Sequence, residues 1–162
     1  MQVYDYAMEL EQNGVEFYEK LSRAVEHDGV RKIFLWLAED ERKHYEIFRQ
    51  LKARETPEKM ADSRVLEEAR DLFDRVLIDE RSRSDLTTNL EAYRLAMSAE
   101  QESIDLYRRA LEEQDDPVVK QVLNRILVEE RKHFNVLENI YDFVNKPNQS
   151  LVWGEFSNLE EY

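Results

Sequence analysis

The sequence predicts an all-α fold, a set of long helices assembled from two copies of one helix pair. Three observations point there. The 162 residues include only 3 Gly and 3 Pro, 36% are charged, and Glu, Leu, Arg and Ala are abundant, a composition that suits long helices better than sheets. Apolar residues recur at three- and four-residue steps along most of the chain. The chain also repeats itself. Glu41-Arg42-Lys43-His44 returns as Glu130-Arg131-Lys132-His133, and Ala7-Met8, Glu11-Gln12 and Tyr18 return at the same offset as Ala96-Met97, Glu100-Gln101 and Tyr107.

Taken in order, residues 3 to about 26 form the first helix, with Tyr4, Ala7, Met8, Glu11, Val15, Tyr18, Leu21 and Val25 on one face. His27-Asp28-Gly29 breaks it, Gly29 being able to take the left-handed conformation of a helix end. The second helix runs from about Val30 to Ala53 and presents Val30, Ile33, Phe34, Leu37, Glu41, His44, Phe48 and Leu51. Thr56-Pro57 reads as a cap followed by proline at the first helical position, opening a more charged third helix to about Asp79 that has no counterpart in the repeat. A helix of roughly 20 residues covers about 30 Å, the length needed to carry the chain from one end of a bundle to the other between parallel neighbours. Ser82 to Ser84 and Asp85 form a polar break, after which Leu86, Leu90, Tyr93, Met97, Glu100, Ile104, Tyr107 and Leu111 share a face. Asp116-Pro117 opens the last helix, with Val119, Val122, Leu123, Ile126, Glu130, His133, Leu137, Ile140 and Val144 inward. Residues 1–145 are thus expected to form one domain, and residues 146–162, with Trp153 and Phe156, a tail that docks on the bundle or on a neighbouring subunit.

The acidic balance, 36 Asp and Glu against 23 Lys and Arg for a net charge of -13, repels nucleic acid and anionic membranes and attracts cations. The longest apolar run, Ile33 to Ala38, is too short to span a bilayer. The first six residues have neither the basic region nor the apolar core of a signal peptide, so a cytoplasmic protein is expected. There is no Cys, hence no disulfide, thiolate ligand or Cys nucleophile.

Glu11, Glu41, His44, Glu100, Glu130 and His133 fall inside the apolar stripes rather than on the charged faces. An ionised carboxylate is costly to bury without a partner, and four in one core repel each other. Two divalent cations would remove both costs. Glu and His three apart on a helix point nearly the same way, so each Glu-x-x-His can offer an oxygen and a nitrogen to one ion, and each lone Glu can reach across. A single Glu-x-x-His in so acidic a chain is weak evidence; two in register, each with a lone core Glu, predict one buried site for two metal ions. Tyr18 and Tyr107, two turns after the lone glutamates, either hydrogen-bond these carboxylates or simply pack. His27 reads as a solvated cap. Arg42, Lys43, Arg131 and Lys132 read as surface positions, and Glu16 and Asp105 as a solvated face. Asp40 and Glu129 flank the motifs and are expected to point elsewhere.

This constellation resembles the ferritin-like di-metal carboxylate proteins, in which two helices each give a Glu and two others each give a Glu-x-x-His. Within that group it is most similar to rubrerythrin and its short relatives, over roughly residues 5 to 52 and 88 to 142. The resemblance implies an antiparallel four-helix bundle with a long helical crossover between its second and third helices. It also implies binding of iron, sometimes manganese, and activities such as iron oxidation, peroxide reduction and oxygen activation. Rubrerythrins proper carry a Cys-rich rubredoxin domain that delivers electrons, and an extra Glu one turn after the lone Glu of the second repeat. Here there is no Cys, and that position is Ser103.

The expectation is a non-haem di-metal oxidoreductase holding two Fe ions per chain, which oxidises Fe(II) or reduces dioxygen or peroxide. Oxygen and imidazole ligands suit Fe or Mn, and Zn could also occupy them. Electrons would come from an external donor or from the Fe(II) itself. The alternatives are a metal-binding protein without turnover, serving iron buffering, delivery or partner interaction, and a metal-free helical scaffold. A homodimer is compatible with the sequence; nothing in it signals a ferritin-like shell.

Overall fold

A computed structural model describes residues 3–57, 59–75 and 86–145. They form five helices, α1 Val3–Ala24, α2 Asp28–Lys52, α3 Val65–Arg75, α4 Leu90–Glu113 and α5 Pro117–Asn145, with no strand among the described residues. This is an all-α, ferritin-like bundle. Short links fold α1 back on α2 and α4 back on α5. Hydrogen bonds from Gln114 to Tyr4 and from Tyr18 to Glu100 show that α1 and α4 are antiparallel, and those pairing His44 with Glu129 and Asp40 with His133 show the same for α2 and α5. It follows that α2 and α4 run parallel, and α3 lies in the crossover between them.

Each long helix buries the stripe its sequence presents. In α1 this comprises Ala7, Glu11, Val15, Tyr18 and Leu21. The apolar core is split in two. One cluster, including Phe34, Leu37, Tyr93, Leu137 and Ile140, is covered by Val65, Leu66, Ala69 and Phe73 of α3. The other holds Ile47, Phe48, Tyr107, Leu123 and Ile126. The polar side chains from the motifs lie between them.

Several expectations about element ends change. The Asp116-Pro117 start of α5 is as expected, Asp116 Oδ1 accepting from the Val118 amide at 2.9 Å. Gly29, by contrast, lies in the first turn of α2, and no glycine among the described residues has positive φ. Its lack of a side chain serves packing instead, since a Cβ there would stand 2.6 Å from Leu72 Cδ1 of α3. His27 is the N-cap, half-buried rather than solvated, its Nδ1 accepting from the Gly29 and Val30 amides at 3.1 and 3.4 Å.

The crossover helix begins at Val65, not at Pro57. Residues 59–64 stay irregular because other elements claim their polar groups: Arg125 donates to the Met60 carbonyl, and Lys132 donates to the Ser63 carbonyl. The Ser63 amide donates to Glu129, so tertiary bonds outweigh local helix preference there. The Ser63 hydroxyl also accepts from the Val65 amide at 3.3 Å and so starts α3. The expected end of this helix near Asp79, the break at 82–85 and the tail at 146–162 all lie outside the described residues.

The end of α2 is a Schellman motif: Glu55 N–H bonds Gln50 O at 2.9 Å and Arg54 N–H bonds Leu51 O at 3.2 Å. Arg54 sits at φ 59°, where a side chain is strained. Arg54→Gly should therefore raise stability by roughly 0.5–1 kcal/mol. An unchanged or lower urea midpoint for that variant would contradict this assignment.

Candidate metal centre

The stripes of four helices converge on one layer. α1 contributes Glu11, α2 Glu41 and His44, α4 Glu100, and α5 Glu130 and His133, and none is more than 4% exposed. The structure brings together all six residues singled out by the repeat. They form two overlapping groups, Glu11, Glu41, His44 and Glu130, and Glu41, Glu100, Glu130 and His133, each with one potential ligand atom per residue, all within 4.8 Å of one another. Glu41 and Glu130 belong to both groups and form their shared edge.

Both imidazoles face this layer through Nδ1. His44 Nδ1 is 2.7 Å from Glu130 Oε1 and 3.5 Å from Glu11 Oε2. His133 Nδ1 is 2.9 Å from Glu41 Oε1 and 3.4 Å from Glu100 Oε1. The rings stack, with centroids 5.9 Å apart. Their far nitrogens are held by carboxylates of the opposite repeat: His44 Nε2 lies 2.8 Å from Glu129 Oε1, and His133 Nε2 lies 2.9 Å from Asp40 Oδ2. In the neutral form of each ring, donation of Nε2–H to that carboxylate leaves Nδ1 as a lone-pair donor aimed inward, the arrangement that suits metal-binding histidines.

Asp40 and Glu129 therefore do not point elsewhere; they are 5% and 2% exposed. One helical step carries each about 100° off the stripe of its own helix. That direction looks solvent-facing in a lone helix, but the opposite repeat and the 59–64 segment close over it. The available signal was that both positions are acidic at the same repeat offset. Ser63, which carried no signal, anchors both carboxylates: its hydroxyl donates to Asp40 and its amide to Glu129 Oε2 at 2.8 Å. Lys132, expected at the surface, is half-buried and bonds the Ser63 carbonyl; Arg131 is half-buried too. Arg42, Lys43, Glu16 and Asp105 are exposed as expected.

The tyrosines also cross between repeats. Tyr107 donates to Glu11 Oε1 at 2.5 Å, and Tyr18 donates to Glu100 Oε1. Burial first, and then the adjacent carboxylates, push both phenols well above their ordinary range, so both remain protonated donors.

The donor set fits cations. Glu11 Oε2, Glu100 Oε2, both Glu130 oxygens and His44 Nδ1 are buried without a hydrogen-bond partner. Although His44 Nδ1 and Glu130 Oε1 are 2.7 Å apart, their angles do not make a hydrogen bond. Lone pairs converging on common points are what a bound ion would satisfy, and buried polar atoms are otherwise rarely left unpaired.

Electrostatics point the same way. Burial, then repulsion from Glu11, Glu130 and Glu100, raises Glu41 well above the usual carboxylate range; burial, then Glu100 and Glu11, does the same to Glu130. Burial would lower both histidines, but Glu11 beside His44 and Glu100 beside His133 outweigh it and raise them. Burial likewise opposes ionisation of Asp40 and Glu100, yet His133 holds both low, Glu100 at about 2. The metal-free layer thus retains protons where cations would otherwise sit.

The family model described as Rubrerythrin matches residues 2–141 of the chain. No curated protein and no solved structure matches it.

These shifts fix how stability varies with pH. Glu41 and Glu130 keep protons in the folded metal-free chain at pH values where the unfolded chain has released them, so folding weakens as pH rises beyond about 4.5. The contribution of His44 and His133 is full below about 6.5 and is lost as pH rises through their elevated values. That of Asp40 and Glu100 is lost only as pH falls below about 4. Urea midpoints measured in chelator should therefore peak near pH ~4.5 and decline as pH rises from there. A flat or rising profile would contradict the charge assignment.

Proposed function

The chain belongs to the rubrerythrin family, and from that premise we propose that it is a non-haem di-iron oxidoreductase that oxidises Fe(II) or reduces dioxygen or peroxide. The observation that carries this reading is the pair of overlapping carboxylate–imidazole groups sharing Glu41 and Glu130. A single-ion site has no need of that second set of donors.

In this reading Glu11 and His44 would hold one ion and Glu100 and His133 the other, and Glu41 and Glu130, which belong to both groups, would be shared between them. Four carboxylates and two imidazoles suit iron or manganese, and zinc would also fit them. Two ferrous ions would supply the two electrons that, with two protons, reduce one peroxide to two waters. The surrounding residues perform the remaining tasks. Glu129 and Asp40 fix the orientation and tautomer of the histidines. Tyr107 and Tyr18 orient Glu11 and Glu100 while holding a proton beside each carboxylate. The apolar clusters on either side keep bulk water from the layer and strengthen its electrostatics.

The 162 residues contain no Cys, so no thiolate-bound redox centre lies on this stretch of chain. That supports a second reading, a carrier that binds iron for buffering or delivery without turning over. Oxygen or peroxide consumption by the Fe(II)-loaded protein separates the two. Among the described residues no helix is long and apolar enough to cross a membrane.

Anaerobic titration should saturate at about two Fe(II) per chain, followed on adding peroxide by oxidation faster than in buffer. Glu100→Ala should reduce the stoichiometry to about one, and Glu130→Ala, in the shared edge, should reduce it below one. Equal losses in the two variants would argue against a shared edge, and a wild-type stoichiometry well below two would sink the proposal.

A further inference from the structure

Between α1 and α4 a cleft of about 180 Å³ runs inward from the surface. Its floor is formed by Tyr18, Glu41, Glu100, Gly14 and Ser103. Three further clefts, over Met60, Phe134 and Ser63, reach none of the six candidate ligands.

The opening has a cause in the sequence. Gly14 lies one turn after Glu11 and Ser103 one turn after Glu100, so both project toward the same gap as the glutamates that precede them. Both are small, and they occupy matching positions in the two repeats. A Cβ on Gly14 would stand 3.2 Å from Glu41 Cδ and 3.4 Å from Glu41 Oε2, so the missing side chain leaves the shared carboxylate facing the cleft. Among the described residues the other sides of the layer are covered. Asp40, Glu129 and Ser63 seal the Nε2 side of the histidines, and the two apolar clusters seal the ends.

We infer that this cleft is the entry route by which a small neutral molecule, dioxygen or hydrogen peroxide, reaches the Glu41–Glu100 edge of the centre. The inference rests on the di-iron reading above. Size and charge define the class. The walls are mostly apolar, with Leu10, Phe17, Leu95 and Ala96 among them, and the space admits a few water-sized molecules. Glu102 lies at the mouth of a chain of net charge -13, which disfavours anions and leaves neutral molecules unopposed. Leu95 and Ala99 are exposed at the rim, so that rim can be closed without touching the core or any candidate ligand.

Nitric oxide, a neutral diatomic of dioxygen's size, reports on access without turnover. Added anaerobically to Fe(II)-loaded protein, it should produce its absorbance change about tenfold or more slowly in Ala99→Trp than in wild type, at equal iron content. Ser98→Trp, exposed on the neighbouring position but outside this cleft, should bind at the wild-type rate. Equal rates in all three proteins would overturn the route. A second measurement needs no metal. Crystals of metal-free protein under xenon should show one site between Gly14 and Ser103 that Ala99→Trp loses; a xenon-free cleft in wild type would also overturn the route. If xenon binds there while no variant or wild type takes up Fe(II), the failure lies with the di-iron reading, and the route to it falls as a consequence.

Discussion

Four glutamates share a buried layer with two histidines, and their mutual repulsion is the constraint on which the rest of the structure depends. An ion taken from water into a protein interior costs several kcal/mol even after relaxation, and like charges add to that. The metal-free chain meets the constraint with protons: Glu41 and Glu130 are driven toward their neutral form, while the histidines are driven toward their charged form. Several oxygens still lack partners. On the proposal that the layer takes up cations, their binding would satisfy these groups, and binding free energy would then contribute to folding free energy.

The scaffold organises that layer by crossing everything between repeats. Tyr18 serves Glu100 and Tyr107 serves Glu11; Glu129 serves His44 and Asp40 serves His133. Neither repeat can complete its half of the layer alone, which explains why duplication and bundle assembly are inseparable here. The irregular segment before α3 belongs to the same design. By staying out of helix it places the Ser63 amide and hydroxyl against both outer carboxylates, so a part of the chain with no counterpart in the repeat braces both copies.

The fold class and the six inner residues were legible in the sequence because both follow from periodicity. A Glu at a core position stands out against its apolar neighbours, and an exact repeat offset pairs it with its partner. What was not legible depends on elements from elsewhere in the chain. Asp40 and Glu129 sit beside their stripes, and only the opposing repeat and Ser63 make their positions interior. Thr56-Pro57 is a sound local start signal that lost to the bonds made at residues 60 to 63. Gly29 looked like a left-handed helix end, yet what it provides is room for Leu72. The significance of Gly14 and Ser103 emerges only once α1 and α4 are seen side by side over Glu41.

The central claim is that this layer is built to hold two cations bridged by Glu41 and Glu130. An anomalous difference map at the iron edge, from crystals of the protein grown anaerobically with Fe(II), tests it directly. The account predicts two peaks about 3.5–4 Å apart on either side of that carboxylate pair, one toward His44 and one toward His133. A single peak, or iron found only on the acidic surface, would contradict it.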